Sequence, residues 1–337
     1  MKAAVLVKPE KILIKEIPKP EPKAGEVLVR LLEVGICGSD IHFFKGHRPI
    51  TEERVIGHEG IGIIEAIGEA ITNRMIGERV AIEPNIPCNH CKQCAKGNGN
   101  SCSNKRVIGL TEDGCFAEYI CVPSDFAHAV PTYILNTDAV CIEPMAVAYH
   151  ALKSATAKPS DAILIIGLGS IGFLLAHLAI QHNYRVYFLE PNIIQARKAI
   201  EMGAVELRKG SEEEQQAFLE ANDVDTIFEC AGAAATATLA CAIAGRGSEI
   251  ILLGLSEKPS SFQPLKIARE NICIRGSIIY DHPNDFKETI QLIKNKIVFP
   301  GFIVSARYPL DALQEALTKA AEGHAGKIII DIASNHE

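Results

Sequence analysis

Apolar positions recur along this chain with two different rhythms. In its first third they come in short runs, at 3–7, 12–14, 27–34, 61–67 and 79–82, broken by Pro18, Pro20, Pro22, Gly68 and Gly77. Runs of that length, rich in Val and Ile and bounded by turn formers, predict β-strands and together a mainly β, barrel-like module. From residue 162 the rhythm changes. Residues 162–166 read as a fully buried strand, 173–180 as an apolar helix and 185–189 as a second strand. Strands at 205–207, 224–229, 248–253 and 272–279 then alternate with helices at 193–202, 212–220 and 233–244. That alternation predicts a doubly wound parallel sheet, so the fold class is α/β. Residues 162–180 form an unbroken uncharged run, long enough to suggest a membrane helix. A strand–turn–helix unit explains the same residues and their three glycines besides. A capped helix over 135–152, kinked at Pro144, is expected between the two rhythms. Beyond them lie a helix at 285–294, an amphipathic stretch at 309–321 and a strand at 327–332. These pieces do not extend the parallel unit and are assigned back to the first module.

Length and composition narrow the class. At 337 residues, 47% of them hydrophobic, the chain is globular and long enough for two domains. A net charge of -7 and a pI near 5.9 speak against nucleic acid as the main partner, which needs a basic surface. A small neutral substrate fits better. The apolar run at the N-terminus is too short for a secretory signal, so a cytoplasmic protein is expected. The 11 cysteines are odd in number and clustered, which favours metal binding and buried thiols over disulfides. Cys115, Cys121, Cys141, Cys230, Cys241 and Cys273 read as packing residues.

Residues 35–62 concentrate the chemistry. Cys37, His58 and Glu59 are types that bind a borderline metal such as zinc, and catalytic zinc keeps three protein ligands and one open position. Glu143, a carboxylate in an apolar stretch that is costly to bury alone, is the candidate for the missing ligand, directly or through water. Ser39 or Asp40 can cap a short helix carrying His42, which lays out a hydroxyl and an imidazole as a proton relay. Without zinc, Cys37 would be a buried thiol, His58 a satisfied histidine and Glu143 a salt-bridged glutamate. Cys88, Cys91 and Cys94, with Cys102 eight residues on, match a closed four-thiolate structural zinc site in which His90 is a bystander.

Gly167-Leu-Gly169-Ser170-Ile171-Gly172 matches G-x-G-x-x-G between a strand and a helix. The glycines admit a pyrophosphate to the backbone, and the helix N-terminus stabilises its charge. Glu190, eighteen residues past Gly172 at the end of the next strand, stands where a carboxylate binds an adenosine ribose. It would repel a 2'-phosphate and so argues for NAD, while Arg197 reads as a solvated helix residue.

With Cys37, His58-Glu59, Glu143, the cysteine lobe and the fingerprint in this order, the chain resembles the zinc-dependent medium-chain alcohol dehydrogenases over essentially its whole length. GHEGIG at 57–62 is similar to that family's zinc-site signature. IEPMAVAYHA around Glu143 and GICGSD around Cys37 are similar to its sorbitol (polyol) and threonine dehydrogenase branch. The resemblance implies a GroES-like catalytic domain over 1–150 and 284–337, with a zinc lobe at 86–104, and a Rossmann NAD-binding domain over 151–283. It implies one catalytic and one structural zinc ion and hydride transfer from a secondary alcohol to NAD. Ser39 would take the hydroxyl proton and pass it, through the nicotinamide ribose and His42, to solvent, while Glu59 either tunes the metal or briefly replaces a ligand or water. Phe43 stands where polyol enzymes often carry tyrosine, and Ile279-Tyr280 where they carry Arg-Tyr, so Phe43 and Tyr280 are the expected substrate contacts. A homodimer or homotetramer is implied as well. The alternatives are a threonine or vicinal-diol dehydrogenase and, outside enzymes, a nucleotide-binding structural protein on the same scaffold. A zinc-ribbon nucleic-acid module is disfavoured by the acidic charge.

Overall fold

The computed structural model describes residues 1–48, 52–207, 209–323 and 326–332. Its contacts divide the chain into two units, Met1–Glu143 with the described residues from Asp281 onward, and Pro144–Tyr280.

The first unit is built on the strand Glu26–Gly35, in which Val27, Leu28, Val29, Leu31 and Val34 are all buried. Glu59–Ile67, Tyr119–Pro123 and Lys327–Asp331 all pair with it antiparallel. The sheet continues through Arg79–Ile82 to Ala127–Ala129 on one side, and on the other ends at Val304–Pro309, which lies parallel to Lys327–Asp331. A smaller sheet joins Lys11–Glu16, Lys2–Lys8 and Arg54–Val55. Leu6, Leu31, Phe44, Ile56, Ile64 and Phe116 are fully buried, and Leu313, Ala316 and Leu317 of the helix Leu313–Ala321 join the same core. Each large apolar side chain so buried contributes about 1.5–3 kcal/mol.

The second unit is a six-stranded parallel sheet. From edge to edge it runs Val205–Glu206, Arg185–Leu189, Ala162–Ile166, Val224–Glu229, Glu249–Leu252 and Cys273–Gly276. The order reverses beside Ala162–Ile166, so the ends of that strand and Val224–Glu229 border the crevice where doubly wound folds take their ligands. Its own core gathers Leu164, Ile227, Ile243 and Ile250.

Three local readings need correcting. Residues 135–152 form two helices, Asn136–Ala139 and Ile142–Ser154, not one kinked helix. Pro144 lies in the first turn of the second, where its missing N–H has no helical partner to lose. The cap of the helix Gly38–Phe44 is Cys37, with neither Ser39 nor Asp40 in that position. Cys273 is exposed on the edge strand, so it is not a packing residue. Among the described residues no helix is long and apolar enough to cross a membrane.

Candidate active site

Cys37 follows the end of the central strand and His58 immediately precedes the strand Glu59–Ile67 paired with it, in which Gly35 faces Glu59 in the register. Two residues 21 positions apart in sequence are thereby brought together. Ligand atoms of Cys37, His58 and Glu59 lie within 4.8 Å of one another, with His58 and Glu59 buried. A Cβ at Gly35 would fall 2.1 Å from Glu59 Oε2, so only glycine leaves room for the carboxylate.

Asp40 and Lys327 complete the surroundings. Asp40 is wholly buried and accepts hydrogen bonds from the backbone N–H groups of Cys37 (2.9 Å) and Gly57 (3.1 Å), tying the two ligand-bearing turns together. Its Oδ1 also stands 3.5 Å from His58 Nδ1, while His58 Nε2 faces Ser39 Oγ at 3.4 Å. Burial works against a charged His58, yet Asp40 and Cys37 hold its pKa well above the usual value. Lys327 Nζ donates to both oxygens of Glu59 at 2.6 Å and to the Ile36 carbonyl at 3.1 Å. Burial alone would depress this ammonium, but Glu59, with Cys37 and Cys141 near, raises its pKa.

The donor set fits zinc. Asp40 Oδ1 stands beside His58 Nδ1, and an imidazole with a carboxylate at one nitrogen is oriented to bind a cation through the other. Glu59 is already neutralised by Lys327. Glu143 lies in the first turn of Ile142–Ser154 and is buried, but it is not in the group that the structure brings together. Ser39 adjoins His58, whereas His42 is exposed, its Nδ1 3.4 Å from that of His47. Among the described residues no direct hydrogen bond joins Ser39 to His42. Phe43 is buried in the core.

The cysteine lobe gathers as its spacing implies. Cys91 Sγ is 3.5 Å from Cys94 Sγ and 3.8 Å from Cys102 Sγ, and all four ligand atoms lie within 4.8 Å of one another. Four sulfurs around zinc at about 2.3 Å stand roughly 3.8 Å apart. Backbone N–H groups of Cys94 and Ser103 draw Cys91 down to about 5, while burial and the neighbouring Cys91 and Cys102 push Cys94 up to about 12. A divalent cation removes that conflict. His90 turns its Nδ1 to the Cys88 carbonyl, 2.6 Å away, and stays outside the group.

In the second unit Gly167 takes φ +90°, and Gly169 caps the helix Ser170–Gln181, in which Ser170, Ile171 and Gly172 form the first turn. A Cβ on Gly172 would lie 2.0 Å from the Gly167 carbonyl. Glu190 follows the strand Arg185–Leu189 and accepts from the backbone of Leu168 (2.6 Å) and Asn192 (2.8 Å), fastening the fingerprint loop. Arg197 is exposed on its helix, and Tyr280 is buried. Glu229 went unread in the sequence. It accepts from Ala231 N, Gly232 N and Thr236 Oγ1, shaping the turn after the strand beside the fingerprint.

Residues 23–132 match the family model of the alcohol dehydrogenase GroES-like domain, and residues 167–295 that of the zinc-binding dehydrogenases. The chain is 30% identical to the starvation-sensing protein RspB of Escherichia coli K12, across 98% of this chain and 99% of that one. It is likewise 30% identical to a sorbitol dehydrogenase of Bacillus subtilis, across 96% and 94%. Its fold superposes with a TM-score of 0.92 on the crystal structure of an alcohol dehydrogenase, rspB, from E. coli CFT073 complexed with NADH. That chain is 29% identical, with 98% of this chain and 99% of that one covered.

Proposed function

Since this chain belongs to the zinc-type medium-chain alcohol dehydrogenases, we propose that it oxidises a secondary alcohol, with a polyol such as sorbitol as preferred substrate, to the ketone with NAD as hydride acceptor. The observation that carries the reading is the convergence of Cys37 and His58, with Glu59 neutralised by Lys327. Cys37, His58 and Glu143 are the proposed ligands of a catalytic zinc ion, and Cys88, Cys91, Cys94 and Cys102 those of a structural one. Zinc supplies Lewis-acid polarisation of the alcohol oxygen, and nicotinamide accepts the hydride.

The chain's own residues then have defined tasks. Ser39 is placed to take the hydroxyl proton, and His42, exposed to water, would release it to solvent once a bridging group joins the two. Asp40 orients His58 by its position beside Nδ1, and Lys327 keeps Glu59 from competing for the metal as a free anion. Gly167, Gly169, Ser170, Ile171 and Gly172 hold the pyrophosphate at a helix N-terminus, and Glu190 disfavours a 2'-phosphate. Phe43 and Tyr280 are buried, so their proposed influence on the substrate is through shape. A homodimer or homotetramer in the cytoplasm completes the proposal. The parallel sheet ends on the edge strand Cys273–Gly276, and an open edge is a surface for pairing with a second copy.

Initial rates of NADH formation by the zinc-replete protein, over polyols, vicinal diols, threonine and simple secondary alcohols, test the reading, with NADP in parallel. A polyol preference with NAD is expected. Preference for threonine or a diol would replace the substrate class, and silence with every alcohol would overturn the enzymatic reading in favour of a nucleotide-binding structural protein.

A further inference from the structure

A third group of donors lies in the first unit, sharing no residue with either set of zinc residues. Glu83 follows the strand Arg79–Ile82, and its N–H is fixed to the Phe126 carbonyl at 2.8 Å. His128 sits on the neighbouring strand Ala127–Ala129, one pair beyond the Ala127–Ile82 pairing. His282 comes from much later in the chain, just ahead of the helix Asn284–Lys294. Pairing of the first two strands and folding back of the last segment bring the three side chains together, with ligand atoms within 4.8 Å of one another.

Both imidazoles address one oxygen of Glu83. His128 Nε2 is 2.6 Å and His282 Nδ1 2.8 Å from Oε2, while Oε1, inaccessible to solvent, has no hydrogen-bond partner among the described residues. Glu83 is completely buried and His128 nearly so. A carboxylate oxygen left unpaired in such surroundings costs about 1–3 kcal/mol, which is why buried oxygens almost always find a donor. Burial raises the Glu83 pKa, but His128 and His282 outweigh it and keep the carboxyl below its usual range, so an anion is retained here. The rings are held firmly. His282 stacks on Phe126 with centroids 4.1 Å apart and planes 11° from parallel, and His128 packs 4.8 Å from Phe286.

Two imidazoles and a glutamate are a zinc donor set. We propose that Glu83, His128 and His282 form a further divalent-cation site of the zinc type, separate from the cysteine lobe and from Cys37 and His58. Around a tetrahedral ion with bonds of about 2.0 Å the donors stand roughly 3.3 Å apart. The observed contacts to Oε2 reach that by opening roughly 0.5–0.7 Å, and a carboxylate turned toward the ion brings Oε1 within its reach as well. The fourth position faces outward, because His282 is partly exposed and borders a cavity of about 390 Å³ that Asn73, Arg74, Asp125, Pro283 and Lys287 also line. Water reaches the ion by that route. The bound cation clamps the segment that begins at Asp281 to the strands bearing Glu83 and His128.

The test is the metal content of the full-length protein after loading with zinc and removal of free metal on a desalting column. Wild type is expected to retain one equivalent more than His282→Ala and one more than Glu83→Gln. Cobalt(II) added in place of zinc should fill a site with the ligand-field absorption of nitrogen and oxygen donors and no thiolate charge-transfer band, and that absorption should vanish in His282→Ala. Because His282 is partly exposed, its replacement keeps the test open where Glu83→Gln fails to fold. Equal metal content in wild type and a folded His282→Ala variant, with no sulfur-free cobalt signal, would overturn the proposal and leave the three residues as a hydrogen-bonded cluster. Neither result bears on the alcohol panel.

Discussion

Lys327 and Glu59 meet where neither side chain can reach water, at 2% and 1% exposure. A buried pair of this kind matters most when one half is removed, since the other charge is then stranded, at a cost of about 3–5 kcal/mol. Lys327→Met should therefore destabilise the protein by about that much in urea denaturation at fixed zinc, and Lys327→Met with Glu59→Gln should recover a good part of the loss. A double variant as unstable as the single one would show that packing, not charge, sets the cost. The pair also carries a pH signature. Lys327 has a folded pKa raised above its ordinary 10.5, so its contribution is full below that pH and drains as pH rises past the unfolded value and through the folded one. Wild type should lose stability above about pH 10.5 by an amount that Lys327→Met does not show. This pair was not legible in the sequence. Lys327 opens the run Lys-Ile-Ile-Ile-Asp and reads like any charged strand end, and its partner lies 268 positions earlier. Cys37, His58 and the four cysteines were legible because each group is short-range and chemically unusual. Asp40 was visible only as a possible cap, its role as a tie between Cys37 and Gly57 being a matter of register.

At the level of elements, the strand–turn–helix around the fingerprint depends on close approaches that only glycine allows. The Gly172 Cα lies so near the Gly167 carbonyl that a methyl group would meet it at 2.0 Å, and Gly167 itself holds φ +90°. Gly172→Ala must push the helix Ser170–Gln181 off the strand Ala162–Ile166, and with it the N–H groups that face a phosphate. NADH affinity, read by fluorescence titration, should fall at least tenfold while zinc content stays that of wild type. Unchanged affinity would mean that the fingerprint does not hold the coenzyme. Cys102→Ser makes the complementary change, since it should release one zinc equivalent and leave NADH affinity alone. The parallel strands could be read from their continuous apolar runs. Val304–Pro309 could not, for its residues alternate between half-buried and exposed and include Ser305 and Arg307. Arg307 pairs with Glu33 and Asp331 on other strands, contacts that local pattern does not encode. The helix Pro264–Arg269 has no buried residue at all, so no apolar period announces it.

On the scale of the whole molecule, the two proposed cofactors divide between the two contact units. Every proposed zinc ligand falls in the unit formed by Met1–Glu143 and the described residues from Asp281 onward, and every fingerprint residue with Glu190 in Pro144–Tyr280. Each unit has its own buried cluster, so each can respond to its own ligand. A ligand that binds only the folded state adds about 2.7 kcal/mol at a hundredfold excess over its Kd. Hydrogen exchange reads where that stability goes, since amides report the opening of the cooperative unit they belong to. NADH should therefore slow exchange in Ala162–Ile166, Arg185–Leu189 and Val224–Glu229 far more than in Glu26–Gly35 and Glu59–Ile67. Chelation of zinc should do the reverse, speeding exchange in the cysteine lobe and in Glu59–Ile67 and sparing the parallel sheet. If NADH instead protects both sheets equally, the chain opens as one cooperative body, and the stabilities of metal and coenzyme sites are coupled despite lying in separate cores.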